Sequence, residues 1–249
     1  MSRRRTAEPD RARRTRPGAA SSPRRWPLIG SVIALVVVVG GLVAIAYFTP
    51  LMSVRSVDVT GATAIDAGEV LRTAQVPEGS PLLQVDTAEI ANRVSALPEI
   101  ESVNVSRKYP STLTIAVTER TPVVTVEQSG RIGVMDRLGM VYLTFGSAKD
   151  LPKSLQGLPA LQMTDPSAAN PTTRAALTVV QDLPDWLASR VVVVAADSPS
   201  DITLRLKSGK KAVWGDAGRT ADKAEALRSL LIVDGQQYNV SSPEYASVS

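Results

Sequence analysis

The chain has no cysteine and no histidine. These two absences exclude disulfides, thiolate zinc sites, cysteine nucleophiles, imidazole metal ligands and any Ser-His-Asp machinery. They leave the compartment open, because many extracytoplasmic proteins dispense with disulfides. No Gly-rich phosphate loop precedes a helical pattern, and no group of carboxylates has metal-site spacing. The pairs Asp182/Asp185 and Asp216/Asp222 have no pocket around them and read as solvated surface. No catalytic residue, cofactor site or metal site is therefore expected, and no small-molecule substrate.

Basic excess is missing from most of the chain as well. Residues 1–25 carry nine Arg against Glu8 and Asp10, while the rest holds 19 basic and 22 acidic groups. The net charge of +4 thus comes from the tail alone and gives no sign of a nucleic-acid surface on the folded part. The preference for Arg over Lys, 21 to 7, reads as the codon bias of a high-GC genome. Residues 1–27 form an Arg-rich tail that cannot bury a core and is expected to be disordered beside anionic lipid.

Charge disappears altogether between Leu28 and Phe48. Those residues, at 1.5 Å each, reach about 30 Å, the hydrocarbon thickness of a bilayer. Trp26 and Tyr47 stand at the two ends, where amphipathic rings favour headgroups. Arg55 is the only basic residue shortly after the run, so the positive-inside rule puts the N-terminus in the cytoplasm and the C-terminus outside. Ala44-Ile45-Ala46 resembles a signal-peptide cleavage site. The apolar run exceeds a signal h-region, however, and the basic region before it is long. The expectation is a single transmembrane helix over 28–48 in the cell membrane, with a type II orientation.

A first external domain is expected over 49–121. Ser53–Thr60 reads as a strand ended by Gly61. Thr63 and Asp66 suggest a capping box opening a helix to about Ala74, and Asp86 with Glu89 opens a second, stopped by Pro98. Ile100–Lys108 and Leu113–Val117 alternate as strands around a Tyr109-Pro110-Ser111 turn. Glu119-Arg120 reads as a surface ion pair worth under about 1 kcal/mol. The order is β-α-α-β-β, an α+β unit with its helices on one sheet face.

That order is similar to the POTRA domain, and particular segments resemble those of the FtsQ/DivIB family of bacterial division proteins, in its high-GC Gram-positive form. They are Val57-Asp58-Val59-Thr60-Gly61, Ser80 to Asp86, and Leu97-Pro98-Glu99-Ile100, where the family usually has Val at the last position. The most telling are Arg107-Lys108-Tyr109-Pro110-Ser111-Thr112-Leu113 and Val117-Thr118-Glu119-Arg120-Thr121-Pro122. Further on, Asp136 to Gly139, Val213-Trp214-Gly215, and Lys223 followed by Leu227 and Leu230-Leu231 are also similar.

Residues 122–245 are expected to form the family's β-domain, a mixed α/β unit on a meandering sheet, with 246–249 trailing as a tail. Pro122–Gln128, Arg131–Asp136 and Met140–Phe145 read as a meander, followed by a Pro-rich, variable-looking stretch from Gly146 to Pro171. Asn170 caps a helix beginning at Pro171 and ending before Pro184. Arg190–Ala195 and Ile202–Lys207 read as strands, the second turning through Ser208-Gly209 into Lys210–Trp214. Thr220 is expected to cap a last helix. Tyr238, Asn239, Val240, Ser241, Ser242 and Pro243 resemble the family's final strand, with Asn239 where the pattern has Asp.

The resemblance implies a non-catalytic divisome scaffold at the septum, with FtsB/DivIC-like and FtsL-like single-pass proteins as partners. An exposed edge at Tyr238–Pro243, anchored by Tyr238, is the candidate partner site, since an unpaired edge accepts an added strand. Two other readings compete. A membrane-anchored cell-wall enzyme would use Ser208-Gly209-Lys210-Lys211 as a Ser-x-x-Lys motif, although a hairpin turn suits these residues better. A signal-cleaved, secreted POTRA module would begin near Tyr47.

Overall fold

A computed structural model describes the backbone of residues 26–48 and 52–249, and the side chains of 30–44 and 52–249. The expectations for residues 1–25 and for the rings of Trp26 and Tyr47 lie outside the described residues. Helix α1 runs Trp26–Phe48. In its described stretch Val32, Leu35, Val36, Val37 and Leu42 stand about 60% exposed. Among the described residues no helix is long and apolar enough to cross a membrane.

The POTRA-like unit has the expected order: β1 Ser56–Thr60, α2 Ala67–Ala74, α3 Thr87–Ser95, β2 Ile100–Lys108 and β3 Thr112–Glu119. Its sheet runs β1-β3-β2, with β1 parallel and β2 antiparallel to β3. The central strand turns Leu113, Ile115 and Val117 inward against Val70, Ala74, Ile90 and Val94 of the helices, all buried. Each such aliphatic side chain contributes about 1.5–3 kcal/mol on burial. Asp86 caps α3 by accepting from Ala88 and Glu89 N–H groups. Asp66, not Thr63, caps α2, accepting from Gly68 N–H. Thr63 instead belongs to a loop held by Glu119.

The second unit is one nine-stranded sheet. Its strands are β4 Pro122–Gln128, β5 Arg131–Asp136, β6 Val141–Phe145, β7 Ala160–Gln162, β8 Val191–Ser198, β9 Asp201–Leu206, β10 Lys211–Gly215, β11 Gln237–Asn239 and β12 Ser247–Val248. Their spatial order is β12-β11-β10-β9-β8-β7-β4-β5-β6. Helices α4 Pro171–Asp182, α5 Asp185–Ala188 and α6 Thr220–Leu230 complete the unit. The core gathers Leu177, Leu187, Val194, Leu204, Trp214, Leu227 and Tyr238. A smaller cluster of Val134, Leu151 and Leu155 forms where residues 148–158 fold back on the meander.

Three features differ from the sequence reading. The Pro-rich stretch, to which the pattern assigns no element, contains β7, which pairs in parallel with both β4 and β8 and joins the two halves of the sheet. Helix α6 has Arg219 at its cap position in a left-handed conformation, while Thr220 is its first residue and donates back to Ala217 O. Residues 246–249, expected as a trailing tail, include β12.

Candidate functional site

The C-terminal segment splits the six predicted site residues between two faces. Strand β11 lies in parallel beside β10, pairing Lys211 with Gln237, Ala212 with Tyr238 and Val213 with Asn239. Alternation therefore turns Tyr238 and Val240 inward, and both are fully buried. Asn239, Ser241 and Ser242 are exposed, and Pro243 is half-buried at the start of a short 3-10 turn. Asn239 Oδ1 accepts from Ser241 N–H at 3.1 Å and from its hydroxyl at 2.8 Å, a local turn that the family's Asp would also make.

Tyr238 is thus an anchor for its own chain and presents no ring to a partner. Its hydroxyl accepts from Lys210 Nζ at 2.7 Å and lies within donating distance of the carbonyls of Val233, at 2.9 Å, and Gly235, at 3.1 Å. The ammonium of Lys210 also stands 5.2 Å from the ring centroid. Tyr238 therefore ties the β9–β10 turn to the loop after α6.

The expected exposed edge at β11 is covered. Strand β12 pairs antiparallel to it, Tyr238 opposite Val248 and Asn239 opposite Ser247. Ser249 O accepts from the N–H groups of Gln236 and Gln237, and Ser249 N–H donates to Gln237 O. Gly235 permits this closeness, since a Cβ there would run into Val248 Cγ1. The end of the sheet is accordingly β12, with Tyr245 86% exposed just before it and Ile232 88% exposed across the loop. Two residues are too short for a strand pattern to register in sequence. The only signal was Gly235 spaced before a lone apolar Val248.

A second constellation sits where the two units meet. Glu119, at the end of β3, accepts from the N–H groups of Thr63, Ala64 and Ile65 and from the Thr63 hydroxyl at 2.7–3.1 Å. Partial burial pushes its carboxyl up, but the hydrogen bonds from Ile65, Thr63 and Ala64 together outweigh this and hold the pKa at about 2. Arg120 does not pair with Glu119. It reaches Pro98 O through Nε and Asp136 through Nη1 at 2.6 Å. Asp136 is wholly buried, and its other oxygen accepts from Leu138 and Met140 N–H. Arg137 grips Glu101 with two nitrogens, which holds its own pKa above the usual guanidinium range. Two ion pairs thus clamp the β2–β3 unit to the β5–β6 turn. Arg120 through Asp136 shows what a fixed spacing cannot reveal: the ions pair across the linker, not along it.

Asp216, expected to be plain surface, accepts from Lys223 Nζ at 2.7 Å, and this hydrogen bond leads the causes that lower its pKa. Lys223 is itself 2% exposed and also donates to Asp216 O. Ser208 lies in the β9–β10 turn, closed by Gly209 N–H to Leu206 O, and not at a helix start. Gly209 takes φ +84° there. Among the described residues no group of carboxylates could hold a metal ion.

Residues 52–120 match the family model described as a POTRA domain of FtsQ type. The cell division protein FtsQ of Mycobacteroides abscessus is 42% identical over 217 residues, covering 87% of this chain and 68% of that one. The FtsQ of Mycolicibacterium smegmatis is 41% identical over 90% of this chain and 63% of its own length. The FtsQ of Streptomyces bingchenggensis is 32% identical over 91% and 87% respectively. The chain thus spans about two thirds of these mycobacterial relatives and most of the Streptomyces one. Similarity on that scale, together with the FtsQ-type POTRA domain, means that the chain belongs to the FtsQ family of cell-division proteins.

Proposed function

We propose that this protein is a non-catalytic scaffold of the bacterial division machinery. The observation that carries the reading is similarity to cell division proteins named FtsQ across both folded units, not only the POTRA domain. Helix α1 is its membrane anchor, the Arg-rich tail lies in the cytoplasm, and both folded units lie outside at the septum. Its partners are FtsB/DivIC-like and FtsL-like single-pass proteins. They dock along β12 and the exposed Asn239, Ser241 and Ser242 beside it. Support for that choice is a two-residue terminal strand with exposed Tyr245 beside it. An outer edge of this kind accepts a further strand through main-chain hydrogen bonds, while neighbouring side chains select the sequence.

Fluorescence imaging of the N-terminally tagged full chain in dividing cells tests the reading. A septal band that appears with constriction, and crosslinks from Ser247 to another division protein, are expected. An even membrane outline throughout the cycle would sink it.

A further inference from the structure

The end of the nine-stranded sheet at the β9–β10 turn concentrates cations that the fold leaves without counter-charge. Arg205 and Lys211 are direct cross-strand partners, both exposed on the face opposite Leu204, Leu206 and Ala212. Like charges in that position weaken a strand pair. Lys207 follows, its N–H bonded to Arg190 O at 2.8 Å, which sets those two residues side by side. Arg205 donates to the neutral carboxamide of Gln162. Lys210 has Asp234 only at 4.0 Å, and that aspartate is fully exposed. Among the described residues no carboxylate pairs with Arg190, Arg205, Lys207 or Lys211.

Arg190 stands over the Trp186 ring, 5.7 Å from its centroid, as does Arg228 at 5.4 Å, although Arg228 also lies 3.9 Å from Glu225 and adds no unpaired charge. Arg190, Lys207, Ser208 and Lys210 surround a recess of about 380 Å³ closed behind by Leu206 and Leu231. The residues after 25 are net acidic, 19 basic against 22 acidic, so this is no by-product of a basic protein. A sheet that keeps a like-charged pair breaks a local rule, and such breaks concentrate at functional positions.

We propose that this surface binds an acidic peptide segment of a partner protein. One carboxylate enters the recess between Arg190, Lys207 and the Ser208 hydroxyl, and flanking carboxylates offset Arg205 and Lys211. The two groups of cations face different directions: Arg205 and Lys211 rise from the open sheet face, whereas the recess opens beside Leu206 on the helix side. A flat bilayer cannot meet both, but a peptide can wrap the strand ends. Ile232, exposed beyond Leu231, gives that segment an apolar contact. The inference stands on this charge pattern and does not depend on the scaffold reading or on the β12 edge.

The test uses the full chain in zwitterionic nanodiscs and a fluorescent peptide of alternating Glu and Leu, followed by anisotropy. Its Gln-for-Glu counterpart serves as the uncharged control. The Glu peptide should bind and the Gln peptide should not, with affinity falling about tenfold or more on raising ionic strength to about 0.5 M. Lys207→Gln with Lys211→Gln should weaken binding at least about tenfold, while Arg131→Gln with Arg174→Gln changes it less than about twofold. Lys211→Glu makes the pair with Arg205 attractive, so it should raise the melting temperature while abolishing binding, which separates loss of the site from loss of the fold. Binding that survives in the Lys207/Lys211 variant, equal loss in the Arg131/Arg174 variant, or no binding of the Glu peptide overturns the proposal. Flotation with anionic vesicles that requires Lys207 and Lys211, without peptide binding, assigns the surface to a membrane and also overturns it.

Discussion

Replacing Glu119 with Gln removes the charge that gathers the loop before α2. Three consecutive N–H groups and one hydroxyl converge on that carboxylate. Hydrogen bonds to a charged acceptor contribute about 1.5–3 kcal/mol each when dry, but this position is half-buried and water substitutes in part, so we expect a total loss of about 2 kcal/mol at neutral pH. The folded pKa, about 2, lies below the ordinary value of 4.5. A depressed carboxyl stabilises fully above its unfolded value and loses that contribution as pH falls through the folded one. The deficit of the variant should therefore be constant from pH 7 to about 5 and shrink towards zero between about 4.5 and 2. In a cooperative unit of about 200 residues, 2 kcal/mol corresponds to a fall of roughly 4–8 °C in melting temperature. Thermal unfolding of wild type and variant across that pH range measures it. A deficit equally large at pH 3 and pH 7 would refute the carboxylate argument, as would one under about 0.5 kcal/mol at pH 7.

Other consequences are open to the same methods. Asp136→Ala strands the largely buried Arg120 and two backbone donors and should cost about 3–5 kcal/mol in urea unfolding, with new protease cleavage near the 120–122 linker. Arg137→Ala at the more exposed pair should lower the urea midpoint far less than Asp136→Ala does. Tyr238→Phe removes the hydroxyl that joins Lys210 to the 233–235 loop and should cost about 1–2 kcal/mol while leaving the ring packed. Gly235→Ala drives a Cβ into Val248, so hydrogen exchange at Gln237 and Ser249 should speed up while the amides of β8 and β9 stay protected.

Most of the fold was legible because it follows from short-range rules. The β-α-α-β-β order, the Asp86 cap, the Pro171 helix start and the Gly209 turn are written in residues within a few positions of one another. The misreadings arose where partners come from far along the chain. Thr63 looked like a cap until Glu119, 56 residues on, claimed its N–H and hydroxyl. Glu119-Arg120 looked like an adjacent pair, yet the guanidinium is 16 residues from its carboxylate. Strand β7 is only Ala160–Gln162, and its place is set by β4 and β8, not by its own pattern. For the candidate site, the sequence pattern names a segment but not which of its residues face inward and which outward. Which strand forms the edge depended on Ser247 and Val248, too few residues to alternate.

The nine-stranded sheet also transmits force between the two ends of the protein. Antiparallel β4–β6 form one raft and β8–β10 another, and the three residues of β7 are the seam between them, hydrogen-bonded in parallel on both sides. The POTRA-like unit is clamped to the first raft through Arg120 and Asp136, whereas β12 is at the far margin of the second. A pull between those points crosses the seam, where Leu161 is the one buried side chain among the three. The cohesion between the two rafts therefore rests on a strand of only three residues.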